Sequence, residues 1–209
     1  MAVAFGDWVA HRRAAGWQVA HGVPAVGGWP FAAELRIPGL FVAPDPAATV
    51  ALATDRLLLR IAPPQPDRLL LHAEGGARLS LADLASPVGI ARLEARLSLR
   101  PGLGPRAYDV LAEDVRADIP EGPVAARRVS LSVAPHGGGA GADPALAIAA
   151  RAEEVSLPPM PRIPAVAALG PHLAEARMEA LLTRPLPLVA PPAVMARALQ
   201  LAGGVLDLR

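Results

Sequence analysis

The side chains able to do chemistry in this sequence are few and scattered. Its five histidines, at positions 11, 21, 72, 136 and 172, include no pair at the spacing of a zinc-binding helix or turn. Solvated or singly hydrogen-bonded imidazoles account for them, and no metal is expected. His136-Gly137-Gly138-Gly139 has the letters of an esterase oxyanion loop, but that loop serves a nucleophile elbow, and none of the six serines sits in G-x-S-x-G. Gly137-x-Gly139-x-x-Ala142 also follows a strand pattern, as a dinucleotide fingerprint would. The helix that should face the pyrophosphate is missing, because Asp143-Pro144 intervenes and Leu146, Ile148 and Ala150 alternate as a strand does. Glu153-Glu154, and Asp114 with Asp118, are carboxylates an acid/base mechanism would need. The wet face of a strand explains them without such a role.

What is absent narrows the chemistry further. All 20 basic residues are Arg, so no P-loop, kinase-type or Schiff-base lysine exists, and the chain has no Cys for thiolate or zinc chemistry. No catalytic residue, cofactor or metal site is expected, and the chain is read as a non-enzyme. A net charge of +1 and 3% aromatic residues argue against a nucleic-acid surface, which needs a basic footprint and stacking rings. The apolar fraction is 53%, carried by Ala, Leu and Val, so the core is built from small side chains.

The elements that would position any site are mostly strands. Residues 5–15 read as a short helix stopped by Gly16. Period two then dominates. Leu57, Leu59 and Ile61 oppose Arg56 and Arg60; Ala91, Leu93, Ala95, Leu97 and Leu99 oppose Arg92, Glu94, Arg96, Ser98 and Arg100; Val129, Leu131 and Val133 oppose Arg128, Ser130 and Ser132. Such alternation predicts a sheet with one dry and one wet face. Short Pro- and Gly-rich breaks at 63–67, 74–76, 101–105 and 120–123 suit hairpins, so the strands form an antiparallel meander. Residues 173–182 read as a further strand, 193–202 as a C-terminal helix between Pro191-Pro192 and Gly203-Gly204, and 205–209 as the start of another strand. Gly27-Gly28-Trp29-Pro30-Phe31 reads as a tight turn whose aromatics cap a sheet end; the functional alternative makes Trp29 and Phe31 a docking patch. No segment has the length and composition of a membrane span.

A helix ending Arg12-Arg13-Ala14-Ala15-Gly16, Gly28-Trp29-Pro30 opening a strand, Ile37-Pro38-Gly39-Leu40 closing it, Leu157-Pro158-Pro159 and Gly203-Gly204-Val205-Leu206 together resemble the family catalogued as domain of unknown function 2125. The resemblance implies a Gram-negative envelope protein, periplasmic and held at the inner membrane by an N-terminal anchor that this sequence does not contain. It also implies further strands downstream, so the 1–209 unit is expected to be incomplete at both ends. Roughly twenty apolar residues should be encoded upstream.

The fold expectation is therefore mainly β (α+β): one long, twisted antiparallel sheet or half-barrel, with an N-terminal helix and one C-terminal helix against it. The strands supply more inward Leu, Val and Ala than two short helices can cover. A lipid or other apolar ligand on a concave sheet face is the expected partner, with Leu57, Leu59, Leu93, Leu97, Leu99, Val129 and Leu131 lining the groove. The alternative is a scaffolding domain whose apolar face is filled by its own helices or by an envelope protein.

Overall fold

Alternating apolar residues draw most of the described residues into one antiparallel sheet. The structure is a computed structural model that describes residues 1–44, 50–81, 84, 86–99, 107–136, 145–159, 170–182 and 205–208. After a helix, α1 (Ala2–Ala14), come β1 (Gln18–Ala20), β2 (Ala25–Gly27), β3 (Ala33–Ala43), β4 (Val50–Ala62), β5 (Gln65–Leu81), β6 (Val88–Ser98), β7 (Tyr108–Ile119), β8 (Gly122–His136), β9 (Ala145–Ser156), β10 (His172–Leu182) and β11 (Val205–Leu208). From β3 onward each strand pairs with the next, and β1 and β2 both pair along the outer side of β3. Among the described residues β1 and β11 end the path without meeting. The sheet is therefore open among these residues, not closed into a barrel. The helix expected at 193–202 lies outside the described residues. Residues 173–182 are a strand despite their helix-favouring Ala, Glu and Arg, because pairing with β9 buries one side of them.

Helix α1 stops where Gly16 takes φ 87, a conformation natural to glycine, and the Arg13 guanidinium then donates to the Val19 carbonyl at 2.6 and 3.0 Å. Phe5 and Val9 turn inward, and together with Val19, Leu35, Ile37, Leu40 and Leu59 they form the main core. Leu35 and Ile37 are fully buried.

Strand register aligns the inward residues in rows running across the sheet. One row is Leu35, Leu59, Leu71, Ala95, Val110, Leu131, Ala150 and Met178; the next is Ile37, Leu57, Ala73, Leu93, Ala112, Val129, Ala152 and Ala176. A third is Leu40, Thr54, Ala77, Ile90, Val115, Ala126, Val155 and Leu173. Strict alternation would separate neighbouring rows by two residues. The second and third rows are instead three residues apart in every strand from β3 to β10 except β5, where Ala73 and Ala77 are four apart. A seam therefore crosses eight strands at one latitude: in seven of them two consecutive residues lie between the rows and the phase shifts, and in β5 three do. Ala91 lies on it and is exposed. That corrects the expectation that Ala91 shares a face with Leu93, since the alternation is broken between them.

The seam has a backbone cause. Gly39, Gly75, Gly76, Asp114 and Glu154 have φ between 51 and 88, and they fall on β3, β5, β7 and β9, every second strand. A left-handed residue inside a strand rotates the pleat and resets which face follows. Thr54, the one buried polar residue among those described, supports this line: its hydroxyl donates to the Gly76 carbonyl at 3.0 Å, with the Arg56 carbonyl 3.2 Å away.

Asp114 and Glu154 occupy a conformation that disfavours a side chain. Glu154→Gly should therefore raise stability by about 0.5 kcal/mol, the relief of a left-handed Cβ exceeding glycine's extra chain entropy. The exposed Arg127–Glu154 ion pair it removes, 2.8 Å long, contributes little in water. Glu154→Ala keeps the Cβ and should gain nothing. Urea midpoints compare the two, and a glycine variant weaker than the alanine variant would contradict the strain.

The Gly27–Phe31 turn forms as expected, with Phe31 and Ala32 N–H groups donating to the Gly28 carbonyl at 3.0 and 2.8 Å. Its aromatics do not cap the sheet. Trp29 is 89% and Phe31 80% exposed, because the turn projects past the end of β3.

Candidate functional site

The inner face carries an apolar concavity. It is a groove of about 770 Å³ running from α1 onto the sheet. Met1, Phe5 and Trp8, spaced along one side of the helix, and Trp17 just after it form one wall. Leu57, Leu59, Leu71, Leu93 and Leu97 supply much of the floor. The depth follows from side-chain size. Ala73 sits in register between Leu57 and Leu93, and Ala95 between Leu71 and Val110, so small residues leave hollows between large ones. Thr54 is the only hydroxyl side chain in the lining and its proton is spent on backbone, and no charged side chain lines the groove.

Of the seven residues expected to line a groove, Leu57, Leu59, Leu93 and Leu97 lie on this lining. Leu59 is the most enclosed, held within the α1 core. Val129 and Leu131 share the inner rows but lie farther along the sheet, and Leu131 packs on a second cluster of Val133, Ile148 and Ala180. Leu99 follows the end of β6 and is outside the lining; its N–H donates to the Asp67 carbonyl at 2.6 Å. The helical wall escaped the sequence reading. The spacing of Met1, Phe5 and Trp8 was available as a signal, but nothing local to it says which strands it faces.

Tyr108 brings the only phenol to the inner face, in register between Leu97 and Val133. Burial raises its pKa, so its hydroxyl stays protonated at neutral pH.

The outer face is charged and self-paired. Arg92, Glu113, Arg128, Glu153 and Glu175 lie in one register row on the outward side of the seam. Arg128 reaches Glu113 at 3.1 Å and Glu153 at 3.8 Å, and Arg151 bridges Glu153 at 3.2 Å and Glu175 at 2.9 Å. A hydrogen bond from Arg92 holds the Glu94 carboxyl below the usual carboxylate range, against some desolvation, and one from Arg177 does the same for Glu175. These carboxylates are ionised and engaged, unsuited to proton transfer at neutral pH. Glu153, Glu154 and Asp114 all face this side, away from the groove. Among the described residues no three His, Asp or Glu side chains stand close enough to share a metal ion, and no helix is long and apolar enough to cross a membrane.

The chain matches, over residues 2–209, the family described as "Uncharacterized protein conserved in bacteria (DUF2125)". No curated protein and no solved structure matches it. The match covers almost the full length, and the chain belongs to the DUF2125 family.

Proposed function

We propose that this DUF2125 member is an envelope domain that holds an apolar ligand, such as a lipid acyl chain, on the inner face of its sheet and leaves it chemically unchanged. The observation that carries this reading is the groove. Its volume of about 770 Å³ is that of an ordinary small-molecule site. Its lining offers hydrocarbon and aromatic surface and no charged side chain, which suits a chain-like apolar guest. An apolar trough of this size in water has a standing drive to acquire an occupant. The periplasmic, membrane-anchored setting is supported by the family resemblance rather than by the groove.

Ligand capture tests the proposal. Protein purified without detergent is extracted and its lipids identified by mass spectrometry, and the delipidated protein is titrated with a fluorescent fatty acid. Leu97→Glu, which puts a charge on the groove floor, should weaken binding at least about tenfold, since burying a carboxylate in an apolar site is strongly unfavourable. Ala149→Glu, on an exposed outward position, should leave binding unchanged. Protein that carries no lipid and takes up no probe would overturn the ligand reading and favour a scaffold whose apolar face is filled by protein.

A further inference from the structure

We propose that the turn carrying Trp29 and Phe31 is a docking tip that seats in the interface of an anionic bilayer. Singly exposed apolar residues are common on any protein. Here Val23, Val26, Trp29 and Phe31, between 72% and 89% exposed, fall within one nine-residue stretch. The chain holds them out deliberately. Gly28 takes φ 85 at a position where a Cβ would come within 2.7 Å of the Glu34 side chain and 2.9 Å of the Ala32 carbonyl, and its own carbonyl accepts from both Phe31 and Ala32. The tight turn leaves the two rings no protein surface to fold back on.

Two features favour a bilayer over a protein partner. A stable protein interface needs roughly 800 Å² on each side, more than two rings on a projecting turn supply, whereas Trp and Phe on such a turn suit the headgroup boundary. Beneath the tip, Arg36 and Arg60 share one carboxylate, Glu34, at 2.7 and 3.6 Å. This collar carries one positive charge in excess, complementary to anionic headgroups. The tip also stands at a telling end of the sheet. Ala33, just after the turn, pairs with Ile61, and Arg60 pairs with Leu70, beside Leu69, which with Leu97 lines that end of the groove. Docking by this turn would bring the groove toward the membrane, although the inference itself rests on the exposed turn and its collar and not on the ligand reading.

Flotation with phosphatidylcholine vesicles, with and without phosphatidylglycerol, is the test. The wild-type chain should float with the anionic vesicles, and W29S/F31S should bind them at least about tenfold more weakly at an unchanged melting temperature. Trp29→Phe keeps the apolar tip and should still float, and in a W8F/W17F background, where Trp29 is the one tryptophan left, bromine-labelled acyl chains should quench its emission. Leu97→Glu should float normally, so loss of ligand and loss of docking are separable. Wild-type protein that floats with neither vesicle, W29S/F31S that floats as well as wild type, or Trp29 emission that stays unquenched in the W8F/W17F background would each overturn the proposal.

Discussion

Gly76→Ala should destabilise the sheet by about 3 kcal/mol, combining a left-handed side chain with overpacking. Gly76 has φ 88, and an added Cβ would stand 2.7 Å from the Ile90 carbonyl oxygen and 3.4 Å from that of Ala91. Both neighbours are backbone of the adjoining strand, so neither can rotate aside. Relief requires β5 and β6 to separate where the Gly76 carbonyl also accepts from Thr54. Gly39→Ala is the matched control, being left-handed at φ 56 with nothing within 4 Å of the new carbon. It should lose only about 1 kcal/mol, the conformational part alone. Urea unfolding of both variants measures the difference. Equal losses would mean that the close approach of β5 and β6 at this point is not as tight as described.

Leu35→Ala should cost about 3 kcal/mol, within the range for emptying a packed leucine site. Leu35 is fully buried between α1 and the sheet, touching the cluster that holds Phe5 and Val9 in place. Leu97→Ala, in the half-exposed floor of the groove, should cost the ligand-free protein about 1 kcal/mol, since little packing is lost where little was made. The contrast separates filled core from open groove on a single sheet face. A Leu97→Ala loss as large as that of Leu35→Ala would show the floor to be ordinary core and would remove the physical basis for a ligand.

The strands were legible because alternation is a local signal. Leu93, Ala95 and Leu97 facing away from Glu94 and Arg96 fix a strand and its two faces without reference to any neighbour. The same locality hid the seam. Ala91 continues the period of Leu93 in the sequence, and only pairing with β5 and β7 reveals that Ile90 takes the inward place instead. Asp114 and Glu154 gave no warning, because neither residue type announces a left-handed backbone as glycine does. For the groove, the leucines of β4 and β6 were readable from their period, whereas its helical wall depends on how α1 lies across the sheet. Exposure of Trp29 and Phe31 depends on where a turn stands relative to the last paired residues, which composition alone does not specify.

At the seam, left-handed residues on β3, β5, β7 and β9, and none among the described residues of the strands between, make two consecutive strands the smallest unit that reproduces the sheet. Such a fold can gain or lose a whole hairpin and keep its apolar rows continuous, because each new pair brings one reset strand and one plain partner. Adding a single strand would reverse the chain direction at the far edge and set two strands of the same kind side by side. Length differences among proteins of this architecture should therefore accumulate in steps of two strands, and a hairpin excised between equivalent points of β5 and β7 should leave a shorter sheet that still folds.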